Sequence, residues 1–142
     1  MLSKDTLQPE KGKNISLPIF SSTVQAGFPS PADDYIEGNL DLNAWIVKHP
    51  AATFFVRVQG ESMTGAHIQT DDILVVDRSL EPINGNIIVA VVDGEFTVKR
   101  YVVEGKNIYL SPENPNFSRI KISENSGFQV WGVVTYVIHK AR

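Results

Sequence analysis

From Thr53 onward the apolar residues fall into short runs rich in β-branched and aromatic side chains: Thr53–Val58, Ile73–Val76, Ile87–Val92, Phe96–Val103, Ile108–Leu110 and Val130–Ile138. Gly, Asn, Asp and Pro punctuate them, the pattern of strands joined by turns. Asp93-Gly94, set between two such runs, predicts a tight hairpin. The first third of the chain reads differently. Met1 to Lys13 is polar and predicts a mobile tail. Ile15 to Phe20 alternates, with Pro18 restricting any strand there to an edge, and Ala26-Gly27-Phe28-Pro29 has loop composition. Ser30-Pro31-Ala32-Asp33 carries helix-start signals, and a short helix through Tyr35 and Ile36 is predicted to end near Gly38. A second helix, capped by Asp41 with Leu42, Trp45 and Ile46 on one face, is predicted to end at Pro50.

About six short strands with little helix among them predict a mainly β chain, a twisted and partly closed antiparallel fold preceded by short helices. The organisation that follows is a flexible tail over residues 1–39 and a β-rich domain over residues 40–142.

Composition narrows the function classes. The chain has 142 residues, enough for one domain with a substantial core. It has no cysteine, which removes a thiolate nucleophile, a cysteine metal site and a disulfide framework. Net charge is −3, without the basic bias of a direct DNA binder. The tail up to Ala26 holds Lys4, Lys11 and Lys13 against Asp5 and Glu10, so the rest is more acidic than the whole. No apolar run approaches the ~18 residues of a membrane span, and Met1 to Asn14 has no signal-peptide core. A cytoplasmic protein without membrane or specific DNA contact is expected.

Two segments hold candidate chemistry. Gly60-Glu61-Ser62-Met63 follows a predicted strand; an isolated Gly-x-Ser is most often a polar turn, but a serine on a turn beside free backbone N–H groups is also how a nucleophile is presented. A serine hydroxyl needs an adjacent base. His49, His67 and His139 lack the surroundings of a triad member and make a poor metal site. Lys99, in Phe96-Thr97-Val98-Lys99-Arg100-Tyr101, shares a strand face with Thr97 and Tyr101. A strand lysine is commonly just a solvated edge guard. As a base it would have to be neutral, whereas only about 0.04% of ordinary lysine is neutral at pH 7; correcting that costs roughly 4–5 kcal/mol. Burial can supply a change of that size.

Taken in order, Gly60-Glu61-Ser62-Met63, Asp71 to Asp77, and Gly94-Glu95-Phe96-Thr97-Val98-Lys99-Arg100 resemble the successive motifs of the LexA-like self-cleaving serine peptidases. Ala26-Gly27-Phe28-Pro29-Ser30-Pro31 resembles their cleavage site, and Trp131-Gly132-Val133-Val134 their closing strand. The resemblance spans about Leu17 to Val137 and implies the fold of the LexA C-terminal and UmuD type. It favours the short UmuD-like branch, because 26 residues before Gly27 are too few for a DNA-binding domain. Ala26 departs from the cysteine of the best-known short member but matches LexA.

The resemblance implies Ser62 as nucleophile and Lys99 as general base. It also implies an oxyanion hole from the backbone N–H groups of Ser62 and Met63, and Ala26–Gly27 as the bond cut. No cofactor and no metal are implied. The expected partners are a second copy of the chain, a RecA nucleoprotein filament that stimulates cleavage, and a UmuC-type Y-family polymerase for which the trimmed form is an SOS accessory subunit. The rival expectation is a LexA-like dimeric interaction module whose dyad has decayed. Gly27 to Leu40 can stretch to about 43 Å, which permits cleavage in cis or in trans.

Overall fold

The computed structural model describes residues 14–21, 23–24, 26–27, 36–125 and 127–141. The chain groups into two compact units, Met1–Ile46 and Val47–Arg142. The stretch Met1 to Lys13, expected to be mobile, lies outside the described residues.

In the first unit, β1 (Ser16–Phe20) pairs antiparallel with β2 (Ile36–Asp41), Leu17 opposite Leu40 and Pro18 opposite Asn39. A two-stranded ribbon consists of edges, so Pro18 removes no hydrogen bond that a central strand would need. The predicted helix from Ser30 to Gly38 needs a correction. Ser30 to Tyr35 lies outside the described residues, and Ile36 to Gly38 is strand, with Gly38 opposite Ile19. Pairing with β1 decides the conformation there, which local start signals do not register. The second helix exists as α1 (Leu42–Ile46), where Asp41 Oδ1 accepts the Ala44 N–H at 3.3 Å. It stops at Ile46 and does not run to Pro50; Pro50 instead opens a 3-10 turn, Pro50–Ala52, where its missing N–H costs nothing. Of its apolar residues only Ile46 is buried.

The second unit is one seven-stranded sheet. Its strands are β3 (Thr53–Arg57), β4 (Ile73–Asp77), β5 (Ile87–Val92), β6 (Glu95–Glu104), β7 (Asn107–Ser111), β8 (Ile120–Ile122) and β9 (Gln129–Ile138). The spatial order is β3-β4-β9-β5-β6-β7-β8, antiparallel throughout, with β3 and β8 as its edges. The mainly β, antiparallel expectation holds, while the expected partial closure does not, because β3 and β8 do not pair with each other and the sheet stays open. The Asp93-Gly94 hairpin forms as read, both residues having positive φ (51° and 82°), which suits the twist of the flanking strands.

Central position explains why β5 is apolar at every residue. Val89 packs into a cluster with Val58, Met63, Ile68, Leu74 and Val76, while its neighbours Ile88 and Ala90 join Leu110 and Val133 in a second cluster. Both faces of the strand are covered, so the alternation of a half-exposed strand is absent. β9 reaches across β4 and β5 by two bulges. Thr135 is left over between Val75–Tyr136 and Val76–Val134, and Trp131 between Val89–Gly132 and Ala90–Val130. Between them Gly132 lies so close to β4 that a Cβ would stand 2.5 Å from Val76 Cγ1.

Candidate active site

Ser62 sits in the connection between the two strands β3 and β4. The connection begins with a β-like exchange in which Val58 N–H donates to Asp72 O (2.9 Å) and Asp71 N–H to Val58 O (2.8 Å). Gly60 then takes φ 110°, a conformation open to glycine and rarely to other residues. Its N–H and C=O are both bound by the Thr70 hydroxyl, at 3.0 and 3.1 Å. Met63, 3% exposed, anchors the loop in the core, and a 3-10 turn, Thr64–Ala66, follows. Ser62 is thereby presented from a pinned turn, with the buried methionine immediately behind it.

The loop is also held from outside by the segment after β7. Glu113 N–H donates to Ser62 O (2.8 Å), and Gly65 N–H donates to Glu113 O (2.6 Å). Asn114 Nδ2 donates to Glu61 O at 2.8 Å. A Cβ on Gly65 would lie 2.5 Å from the Glu113 carbonyl oxygen, so this approach requires glycine. The backbone N–H groups of Ser62 and Met63 make no hydrogen bond among the described residues.

Lys99 comes from β6, placed by the hairpin register that sets it opposite Ile88. Its Nζ lies 3.1 Å from Ser62 Oγ, 2.7 Å from Thr97 Oγ1 and 3.1 Å from Val98 O. Burial pushes Lys99 below the ordinary lysine value, because an ammonium loses hydration there that an amine does not need. A groove of about 640 Å³ opens beside the pair, with Val56, Val58, Met63, Val89 and Val98 among its apolar lining and Phe96 at its side.

The sequence-predicted Ser62 and Lys99, 37 residues apart, are thus brought within hydrogen-bond distance. Ala26 and Gly27 are described in the first unit, as bends outside any strand. The histidines lie elsewhere. His49 Nδ1 is 2.6 Å from buried Asp77, and His139 Nδ1 is 2.6 Å from buried Asp72. Burial raises the Asp77 carboxyl, but hydrogen bonds from the Ser79 hydroxyl, His49 and the Ser79 N–H outweigh it and hold it below its ordinary value. His67 ends the 3-10 turn at φ 64°, its N–H donating to Thr64 O. Among the described residues no group of three or more His, Asp or Glu is placed to hold a metal, and no helix is long and apolar enough to cross a membrane.

Sequence reading missed Glu113 and Asn114. Ser111-Pro112-Glu113-Asn114-Pro115 reads as an ordinary turn, and its grip on residues 61–65 comes from a contact about 50 residues away. Thr97 was visible only as a neighbour of Lys99 on one strand face.

The chain matches a family model described as Peptidase S24-like over residues 18–135. It is 50% identical to Protein ImpA of Salmonella typhimurium over 127 residues, 88% of this chain and 85% of that protein. It is 43% identical to Protein MucA of Escherichia coli over 122 residues, 85% and 83% of the two chains. A LexA repressor, of Colwellia psychrerythraea, is 38% identical over 120 residues, which are 84% of this chain and 56% of that protein.

Proposed function

The chain belongs to the Peptidase S24-like family, and from that premise we propose that it is a self-cleaving serine endopeptidase that cuts its own Ala26–Gly27 bond with Ser62 and Lys99. The observation that carries the reading is the 3.1 Å approach of Lys99 Nζ to Ser62 Oγ, on a lysine that burial inclines toward its neutral form. Neutral Lys99 takes the Ser62 proton as Oγ attacks the Ala26 carbonyl carbon. The N–H groups of Ser62 and Met63 receive the oxyanion. As the intermediate collapses, the C–N bond breaks and the Lys99 ammonium returns its proton to the Gly27 nitrogen. Water, deprotonated by Lys99, then attacks the Ser62–Ala26 ester and frees Ser62. The products are residues 1–26 and a trimmed chain beginning at Gly27.

The biological setting in this proposal is the SOS response. The cut is stimulated by a RecA filament on single-stranded DNA, the chain acts as a homodimer, and the trimmed form serves a UmuC-type Y-family polymerase as an accessory subunit. Support for this comes from the UmuD-like motif order and from relatives of similar length that align over most of both chains.

Intact-mass analysis tests the reading. Wild type and Ser62→Ala are each incubated with RecA, ATP and single-stranded DNA, and separately at alkaline pH. A wild-type species beginning at Gly27, absent from Ser62→Ala, is the expected result. Uncut wild type under both conditions would leave a non-enzymatic interaction module, and a cut in Ser62→Ala would remove Ser62 as the nucleophile.

A further inference from the structure

Successive residues of β6 address the same loop by different routes. Lys99 reaches Ser62 with its own side chain. Arg100 reaches it through Glu113: Nε and Nη2 lie 3.2 and 3.1 Å from Glu113 Oε1, while Nη1 donates to the Gly85 carbonyl at 2.6 Å. The guanidinium is therefore fixed from two sides, by the turn before β5 and by the segment after β7. Both side chains are only about a third exposed, at 29% and 33%, so the pair is shielded compared with a surface ion pair. Glu113 in turn grips the nucleophile loop at two points, donating its N–H to Ser62 O and accepting the Gly65 N–H. Those bonds flank Ser62 and Met63 and leave their N–H groups free.

We infer that Arg100 is a positioning residue for the Ser62–Lys99 pair: through Glu113 it straps the Ser62 loop to the strand that carries Lys99. This rests on the self-cleavage reading. A nucleophile on a loop and a base on a strand, 37 residues apart, keep a 3.1 Å contact only if loop and strand move together. The Arg100–Glu113 pair links the strand of one to the backbone of the other without touching either reacting atom. Displacement of about 1 Å between reacting groups can cost on the order of 100-fold in rate.

The test compares wild type, Arg100→Gln, Arg100→Lys, Glu113→Gln and the Arg100→Gln/Glu113→Gln double variant in two reactions. One is self-cleavage at alkaline pH, followed by intact mass. The other is labelling by a fluorophosphonate, in which Ser62 Oγ bonds to phosphorus, fluoride leaves and Lys99 takes the proton. Melting temperature confirms that each variant is folded at the assay temperature; if Arg100→Gln does not fold, Glu113→Gln, which keeps the side-chain shape, carries the comparison. The glutamine variants are expected to be slower by roughly 10–100-fold in both reactions at every pH, with the midpoint of the pH profile unmoved. Arg100→Lys should lie between, and the double variant should be no slower than the slower single, since each change removes the same strap. Rates within twofold of wild type, single effects that multiply in the double variant, or a shifted midpoint with an unchanged plateau would overturn the inference. A folded wild type that neither cuts nor labels would overturn the protease reading and the strap with it. A wild type that labels without cutting would overturn self-cleavage alone, with the labelling rates still deciding the strap.

Discussion

As an ammonium, Lys99 has three N–H groups and faces three acceptors: Ser62 Oγ, Thr97 Oγ1 and Val98 O. As an amine it has two N–H groups and a lone pair. Thr97 and Val98 then hold the two hydrogens and the lone pair falls toward the Ser62 hydroxyl. Thr97→Val should therefore slow cleavage by roughly 10–100-fold with little change in melting temperature; an unchanged single-turnover rate would show that the lone pair is aimed by something else. Because burial lowers the Lys99 pKa, cleavage should rise with pH through that lowered value and level off above it.

The same burial affects stability. Below its folded-state value Lys99 is charged in both states and the desolvation cost is fully present; above the ordinary value of 10.5 it is neutral in both and the cost is gone. Wild type should gain on Lys99→Met, which keeps the apolar stem, as pH rises between those values. A melting-temperature difference that stays constant with pH would mean Lys99 titrates as it does in the unfolded chain. At this scale the sequence singled out Ser62 and Lys99, which the fold brings within hydrogen-bond distance, because each stands within an ordered motif. It did not reveal Thr97, Glu113 or Asn114 as supports, because their roles exist only in contacts made after folding.

Among the elements, β5 and the hairpin into β6 were the most legible, since six consecutive apolar residues and Asp93-Gly94 leave few alternatives. β8 was not read at all: Ile120-Lys121-Ile122 is too short to show a period and owes its conformation to β7. The bulges of β9 were equally hidden, although Gly132 marks the place where that strand crowds β4. Gly132→Ala should lower stability by about 1–3 kcal/mol, read as a fall in melting temperature. Gly38→Ala is the control, because a Cβ there meets nothing within 4 Å; equal effects would mean the close approach to Val76 is not what requires glycine. At the end of β4, Asp77 has a lowered pKa, so its stabilisation is present above the ordinary value of 3.8 and is lost as pH falls through its folded-state value. Asp77→Asn should melt lower than wild type at neutral pH, with the gap closing in acid. A gap that persists unchanged at low pH would trace the loss to packing instead of charge.

For the whole molecule, the proposed self-cleavage leaves open whether a chain cuts itself or its neighbour, and chain length bears on it. Phe20 and Ile36 face each other at the end of the β1–β2 ribbon, so Gly27 is seven steps from a paired residue and reaches about 23 Å from it when extended. A short flexible tether holds its cargo at an effective concentration near millimolar. Separate molecules at micromolar concentration fall far below that, so cleavage within one chain or one homodimer should dominate over cleavage between separate dimers in dilute solution. Two measurements check this together. The first-order rate constant of wild type should stay constant over a 100-fold dilution. An isotopically heavy Ser62→Ala chain mixed with a Gly27→Trp chain, which retains the dyad, should stay intact over the time in which wild type is consumed. Gly27 suits this substitution because a Cβ there meets no atom within 4 Å. The Gly27→Trp chain should itself remain uncut, since a bulky residue after the scissile carbonyl obstructs the approach of Ser62. Rapid loss of residues 1–26 from the heavy chain would establish cleavage between molecules, and the tether would then serve to present the bond to a partner. A cut Gly27→Trp chain would move the scissile bond away from Ala26–Gly27 altogether.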